Sequence, residues 1–455
     1  MHSADVLIIG TGQAGVPLAE RLAAAGKKVV IVERSELGGS CVNYGCTPTK
    51  TMIASARAAH VARSALRLGI NVPRVEVDFA AVVARKDAIV QRWRAGIAER
   101  LAHPGIRLVH GHARFVGSRT VEVGRQRLSA PTVIINTGAR STIPSLPGLS
   151  QVPFLDSERA LELTAAPAHL IVLGGGYIGC ELGQMFARFG SRVTIVDREA
   201  HLLAREAPEV SEALEDAFRA ESIVLSLGVN VDHVAVDPGA VIVTLDSHQV
   251  LRGSHVLVAA GRRANTDELN CEAAGVELDG RGNVKVDDCY RTTADGVYAV
   301  GDVTGGPQFT HSSWDDHRLL FDVLQHGSGR GRDDRLIPYA VFTDPQVAGV
   351  GLSEQQARER GVKYELATLP FTHIARAVEM DETAGMMKLL IDPDTERVLG
   401  CRIVGTEAAE MIHVFVVLMQ ADASVRAIAE AEAIHPTLAE GIQSLVMQLP
   451  RFKLG

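Results

Sequence analysis

The sequence has 455 residues, with 46 Lys+Arg against 54 Asp+Glu and a formal charge of −8. At roughly 100–200 residues per domain this length predicts two to four domains, and the acidic balance without Lys/Arg blocks argues against nucleic-acid binding. Six cysteines are too few for a disulfide scaffold, while 43 glycines against 4% aromatics hint at phosphate sites built from backbone.

The polar MHSAD start lacks a signal-peptide pattern and runs into a strand at Val6-Leu7-Ile8-Ile9. That strand enters Gly10-x-Gly12-x-x-Gly15, a helical stretch follows, and a second strand ends on Glu33. Residues 169–197 repeat the plan, with Gly174-x-Gly176-x-x-Gly179 and Asp197. In both copies the acid lies 23 positions beyond the first glycine (10 to 33, 174 to 197). The first glycine makes a tight turn, the second admits a pyrophosphate to backbone N–H groups, and the third lets helix and strand pack closely. The helix N-terminus attracts the phosphates, and the acid accepts from ribose hydroxyls. The plain alternative is glycine-rich turns that bind nothing. One copy would be weak evidence, but two with matched acids predict two dinucleotide-binding, Rossmann-like folds.

After Glu33 comes Gly38-Gly39-Ser40-Cys41-Val42-Asn43-Tyr44-Gly45-Cys46-Thr47-Pro48-Thr49-Lys50. Thr47-Pro48 reads as an N-cap and first helical residue, which puts two cysteines five apart at a helix N-terminus. The dipole there lowers a thiol pKa, and the thiolate is the reactive form. Lys50, four beyond Cys46, shares its helical face. Two ordinary buried thiols are the alternative, and that reading fits Cys180, Cys271, Cys289 and Cys401. Helices are expected over Thr49 to Leu68 and Phe79 to Leu101, the second behind Asp78 as N-cap. β-like segments from Arg107 to Ile135 end in Thr137-Gly138-Ala139, and Pro144 and Pro147 mark a linker. The second copy closes at Val256 to Gly261, and a third strand-like run, Val297 to Val300, leads to Gly301-Asp302. From about Leu336 the phosphate-loop signals stop, which suggests an interface domain. The nearest approach to a membrane span, Val414 to Met419, stops at Gln420, far short of ~20 residues. The expectation is a soluble cytoplasmic protein.

GTGQAG, GGSCVNYGCTPTK, NTGA, GGGYIGCE, AAGRR, YAVGDV, VFTDPQVAGVGLSE and IHPTLAEG occur in this order along essentially the whole chain. In this the sequence resembles the pyridine nucleotide–disulfide oxidoreductases: glutathione reductase, dihydrolipoamide dehydrogenase, mercuric reductase and their relatives. The resemblance implies an α/β fold with two Rossmann-like FAD- and NAD(P)-binding domains and a C-terminal α+β dimerisation domain. The expected division is 1–145 for FAD, with a helical insertion at about 49–105, then 146–265 for NAD(P). Residues 266–335 would complete the FAD domain and 336–455 would form the interface.

By the same resemblance FAD occupies the first site, with Gly10, Gly12 and Gly15 on the pyrophosphate and Glu33 on the adenosine ribose. Gly39, Ser40, Lys50, Ala113, Thr137 and Gly138 would line it, with Asp302 on the ribityl chain and Phe309, Thr310 and His311 near the flavin. NAD(P)H would lie on Gly174, Gly176, Ile178, Gly179, Asp197, Arg198 and Gly261, with Tyr177 covering the nicotinamide pocket. Cys46 is then the thiolate against the flavin and Cys41 the interchange thiol, with Lys50 paired to Glu181. Glu181 as a helix-start acid, Lys50 as a solvated lysine and Tyr177 as a surface aromatic are the bland alternatives. His435 and Glu440 match a His…Glu pair contributed across a homodimer. A disulfide's leaving thiolate needs a proton, which suits histidine, although Thr437-x-x-Glu440 is equally a capping box.

Asp197 favours NADH over NADPH, since it suits a free 2′-hydroxyl; Gly179 points the same way, while Arg198 and Arg205 keep NADPH open. No metal site is expected, because no second Cys/His pair accompanies Cys41 and Cys46. CTPTKT, VTGGPQFT and ARAVEMDET resemble the mercuric-reductase-like branch, including copper(II) and hypothiocyanite reductases. However, the tail MQLPRFKLG lacks that branch's mercury-handling cysteine pair. The acceptor expected is therefore a disulfide, a thiol-reactive oxidant or a metal ion. Dihydrolipoamide dehydrogenase is the alternative, weakened by Ala433 where that enzyme type has a histidine. Soluble transhydrogenases usually lack the second cysteine, and a non-catalytic FAD/NAD-binding redox sensor is the remaining rival.

Overall fold

The run Val6–Ile9 (β1) is buried along its whole length, as a central parallel strand with both faces covered must be. In the computed structural model, which describes residues 4–327 and 329–452, the chain continues through α1 (Gly15–Ala24) into β2 (Val29–Glu33). Helices α2 (Cys46–Ser64) and α3 (Phe79–Leu101) precede β3 (Ile106–His110) and β4 (Thr132–Ile135). β1 lies between β2 and β4, with Val6 facing Val29 on one side and Thr132 on the other. The chain leaves β1 where the strand order reverses, so the first glycine loop opens at the crevice in which such sheets bind ligands. A later segment, Val297–Ala299, adds a fifth parallel strand beside β4.

The second copy is built alike. β5 (His169–Leu173), α4 (Tyr177–Arg188), β6 (Arg192–Asp197), α5 (Pro208–Ala220), β7 (Val224–Leu227) and β8 (His255–Val258) form a parallel sheet in the order β7-β6-β5-β8. After Val297–Ala299 (β9), helix α6 (Thr310–His326) returns to the first sheet. The last third is an antiparallel sheet of β10 (Tyr339–Val341), β11 (Gln346–Gly351), β12 (Glu365–Pro370), β13 (Met386–Ile391) and β14 (Val398–Gly405), ordered β10-β11-β14-β13-β12. Helices α7 (Ala408–Gln420) and α8 (Glu440–Val446) complete it. The fold is thus α/β, with two parallel sheets, one antiparallel α+β unit and three smaller antiparallel sheets. Among the described residues no helix is long and apolar enough to cross a membrane. The tail sequence MQLPRFKLG is described only as far as Phe452; Lys453, Leu454 and Gly455 lie outside the described residues, as do Met1 to Ser3 of the MHSAD start.

Asp78 caps α3 as expected, its carboxylate accepting from Ala81 N at 3.0 Å. Two expectations are corrected. Thr47 is not an N-cap: α2 begins at Cys46 itself, behind Gly45. A Cβ on Gly45 would lie 2.9 Å from the Ser40 carbonyl oxygen, so glycine is what lets the short helix Gly39–Asn43 turn directly into α2. In addition, the stretch expected to be helical to Leu68 changes at Ser64 into a 3-10 turn, Ala65–Leu68, closed by Gly69 at φ +79°.

Candidate active site

A cleft of about 1030 Å³ runs from Gly10, Gly12 and Glu33 past Thr137 and Asp302 to Cys41, Cys46, Lys50, Tyr177 and Glu181. Its first end is shaped by backbone. Gly10 has φ +106°, and a Cβ there would stand 2.3 Å from the Asn136 carbonyl oxygen. A Cβ on Gly15 would meet the Gly10 oxygen at 2.3 Å, which is why the helix can start so close to β1. Glu33 reaches back to this loop, accepting from Thr11 N at 3.0 Å, Thr11 Oγ1 at 2.6 Å and Ser35 N at 2.9 Å. Asp197 does the same in the second copy, accepting from Gly175 N and from Glu199 N. Each acid therefore fastens its own loop, a role that the spacing alone did not suggest.

Along the cleft Ala113, Gly138 and Ser40 are wall residues, and Gly39 packs against Gly12. Thr137 Oγ1 and Arg262 Nε are buried without a hydrogen-bond partner. Burial raises the pKa of Asp302 against the opposing Arg262 charge, 3.4 Å away. Orphaned polar atoms midway between a phosphate loop and a thiol pair match the pyrophosphate and polyol chain of FAD, so the residues present fit that group. Arg262, Asn136 and Thr11 lie within the motifs AAGRR, NTGA and GTGQAG but were given no role from the sequence.

At the far end both cysteines are free thiols. Cys46 is the first residue of α2, and its sulfur lies 3.1 Å from Thr310 Oγ1, the first residue of α6. Two helix N-termini therefore converge on one sulfur. The hydrogen bond from Cys41 is the main cause that lowers the Cys46 thiol to about 6; burial opposes it, and Lys50 and Thr310 add to it. Cys41 moves the other way, raised chiefly by donating that bond and by burial. Near neutral pH the pair thus holds one thiolate, on Cys46. Alkylation of Cys46 by iodoacetamide should accordingly rise through about pH 6 and level off above it. Thr310→Val should shift that midpoint upward, and an unchanged profile would deny the hydroxyl any part in it.

Lys50 Nζ contacts Glu181 Oε2 at 2.6 Å, and Glu181 is 4% exposed. Burial works against the lysine charge, but Glu181 and Cys46 more than offset it and raise its pKa. The pair is half-buried, the carboxylate enclosed and the lysine partly open to the cleft. Lys50 also lies 4.8 Å from the centre of the Phe342 ring. Tyr177 and Ile178, at the head of α4, line the cleft. Phe309 stacks on His311 at 5.3 Å, and His311 Nε2 donates to Pro338 O at 2.7 Å. Tyr339, unmarked in the sequence, and Phe342, which follows Val341 in the motif VFTDPQ, bring the antiparallel domain to this wall.

Other candidates lie elsewhere. Gly174, Gly176, Gly179, Asp197, Arg198 and Gly261 are not themselves wall residues of this cleft, although Tyr177 and Ile178 of the same loop and Arg262 beside Gly261 are. A Cβ on Gly176 would meet nothing within 4 Å, leaving its backbone open to a ligand, whereas one on Gly179 would stand 1.9 Å from Gly174 O. Gly179→Ala should therefore distort the loop and weaken nucleotide binding by about tenfold or more in an equilibrium titration. His435 and Glu440 are not among the residues that line the cleft of Cys41 and Cys46. His435 Nδ1 lies 2.9 Å from Glu440 Oε2, and its side chain is 71% exposed. The capping box is only half formed: Glu440 N donates to Thr437 Oγ1 at 3.1 Å, while the Glu440 carboxylate turns to the histidine. Among the described residues no group of three or more His, Cys, Asp or Glu side chains is placed to hold a metal ion.

Comparison with known proteins agrees with this arrangement. Residues 4–316 match the family model described as pyridine nucleotide-disulphide oxidoreductase, and residues 337–446 its dimerisation domain. Mercuric reductase of Lysinibacillus sphaericus is 36% identical, over 96% of this chain and 81% of its own. The probable pyridine nucleotide-disulfide oxidoreductase RclA of Escherichia coli is 35% identical, over 98% of this chain and 99% of its own. A solved structure, the Cu(II) complex of that HOCl-induced flavoprotein disulfide reductase, has a TM-score of 0.90 over 98% of this chain and 99% of that one. Dihydrolipoyl dehydrogenase of Geobacillus stearothermophilus is 32% identical, over 99% of this chain and 96% of its own.

Proposed function

Because the chain belongs to the pyridine nucleotide-disulphide oxidoreductase family, we propose that it reduces a small thiol-reactive oxidant or a soft metal ion through the Cys41–Cys46 pair. The family is FAD-dependent and uses a pyridine nucleotide, so an oxidoreductase is the premise and the acceptor is the proposal. FAD bound in the cleft supplies the two-electron link between nicotinamide and disulfide. The chain's own residues do the rest. The glycine loops and Glu33 hold the cofactor, and Tyr177 covers the nicotinamide side. Lys50 and Glu181 fix a charge beside the reacting end. Cys46 keeps the thiolate, Cys41 attacks the acceptor, and His435 of a second copy, oriented by its Glu440, manages the proton. The exposure of His435, unusual for a group with a proton to deliver, supports its acting across a homodimer.

One observation carries the choice of acceptor. The Lys and Arg side chains lining the cleft are Arg34, Lys50, Arg140 and Arg262, and each is paired with a carboxylate: Glu268, Glu181, Asp267 and Asp302. Beside the thiols themselves the cation this chain supplies, Lys50, is paired with Glu181, so among the described residues nothing on this chain's side is left to receive the carboxylates of glutathione disulfide, whereas a metal cation or small neutral oxidant needs none. The names of the relatives, mercuric reductase and a Cu(II)-complexed RclA, point in the same direction. Dihydrolipoamide dehydrogenase is the second reading, since its dithiol/disulfide substrate also carries no charge that needs a cation and a relative bears that name. A steady-state panel of lipoamide, glutathione disulfide, Hg(II), Cu(II), hypothiocyanite and oxygen decides between them. Activity confined to lipoamide would overturn the first reading.

NADH is the proposed donor, in the cytoplasm. Asp197 stands at the end of β6, where its charge opposes a 2′-phosphate, and Arg198 is turned to Glu199 at 3.2 Å, so of the two arginines that keep NADPH open only Arg205 is left. NADH should exceed NADPH in kcat/KM by about tenfold or more; the reverse order would refute this preference.

A further inference from the structure

The Lys50–Glu181 pair does not stand alone. Glu181, Gln184 and Arg188 follow one another along one face of α4, and all three are less than 7% exposed. The segment they face, Phe342 to Asp344, joins β10 to β11 in the antiparallel domain. Phe342 N donates to Glu181 Oε1 at 2.9 Å, which leaves Oε2 for Lys50. Asp344 is held at three points: its N donates to Gln184 Oε1 at 2.8 Å, its O accepts from Gln184 Nε2 at 2.7 Å, and its carboxylate meets Arg188 at 3.0 Å. Glu221, one residue past α5, completes the cluster by accepting from Gln184 at 2.8 Å and from Arg188 at 2.8 and 2.6 Å. Removing any member would strand buried polar groups, so the cluster behaves as one unit.

We propose that Gln184 and Arg188, braced by Glu221, are positioning residues that latch Asp344 onto α4, so that the Phe342 N–H fixes the Glu181 carboxylate and, through it, Lys50. The antiparallel domain thereby sets the charge beside the reacting thiol from within the same chain. The inference rests on the reading of Lys50 and Glu181 given above.

The test is a cycle of Gln184→Leu, Glu181→Gln and the double variant, made in the flavin-loaded enzyme. Thiols released by one equivalent of NADH are followed in a single turnover. Gln184→Leu is expected to slow the release about tenfold, with enzyme and its one equivalent of NADH both well above the Kd and that Kd unchanged. It should slow the Glu181→Gln enzyme no further, since the carboxylate it positions is already gone. Losses that simply multiply would mark Gln184 as a packing residue and overturn the proposal. Amide exchange at Phe342 should also accelerate in Gln184→Leu. If that variant does not fold, Gln184→Glu, which keeps the acceptor and loses both donated bonds, carries the same measurements. Should the wild-type enzyme release no thiols with NADH, the functional reading fails; exchange at Phe342 still judges the latch, and an unchanged rate overturns it.

Discussion

Cys46→Ser protein should lose reduction of every thiol-reactive acceptor by about a thousandfold or more, while still folding and binding nucleotide. The reason is electron accounting. A hydride equivalent carries two electrons and one proton; delivered to the Cys41–Cys46 disulfide it breaks the S–S bond and leaves one thiol and one thiolate. With a single cysteine there is no such bond to break, and losses on removing a nucleophile reach many orders of magnitude. Titration with a thiol reagent before and after one equivalent of NADH should find two new thiols in the wild type and none in Cys46→Ser. Cys41→Ser should lose turnover equally, and Cys41→Ala tells the two roles apart. In Cys41→Ala, which unlike serine has no hydroxyl to donate, Cys46 keeps Thr310 and Lys50 but loses the bond from Cys41, the largest cause of its low pKa, so its alkylation midpoint should rise from about 6. Retention of activity in Cys46→Ser would break the mechanism at its centre.

His435→Ala should lower turnover by roughly 10²–10⁴-fold, the range for loss of a general acid–base group. The more telling experiment mixes chains. A heterodimer of one Cys41→Ser chain and one His435→Ala chain places both lesions in one site if His435 acts across the interface. The other site is then complete, and the mixture should recover about half of wild-type activity per dimer although each parent is inactive. If His435 served the thiols of its own chain, both sites would be broken and nothing would be recovered. Glu440→Gln should reproduce a milder form of the same loss, because the Nδ1 contact at 2.9 Å orients the ring.

The parts of this molecule that follow local rules were legible in the sequence. Gly10, Gly15 and their counterparts announce the two nucleotide loops because backbone geometry there admits nothing larger, and the run Val6–Ile9 announces a buried parallel strand. Asp78 announces a helix start because its carboxylate needs only the next turn. Long-range contacts were not legible. Phe342 meets Glu181, and Asp344 meets Gln184, across about 160 residues, and no local pattern marks a backbone N–H that will be spent on a distant side chain. The start of α2 was misplaced for a related reason: Thr47-Pro48 is a good cap pattern, but the tight approach of Gly45 to Ser40 O moved the boundary back to Cys46. Glu440 shows the same limit, since one spacing served both a cap and a histidine partner, and its carboxylate took the histidine.

The edge strand Val297–Ala299 bears on how the protein is made. It pairs with Thr132–Ile135, so the first sheet cannot be completed until nearly 300 residues have left the ribosome. The second sheet is contiguous, from His169 to Val258, and needs nothing made later. During synthesis the nucleotide unit in the middle can therefore form first, while the earlier strands wait with β4 exposed along one side. A truncated nascent chain ending before Val297 would present that open edge, and it is there that binding by folding helpers, or aggregation, should concentrate.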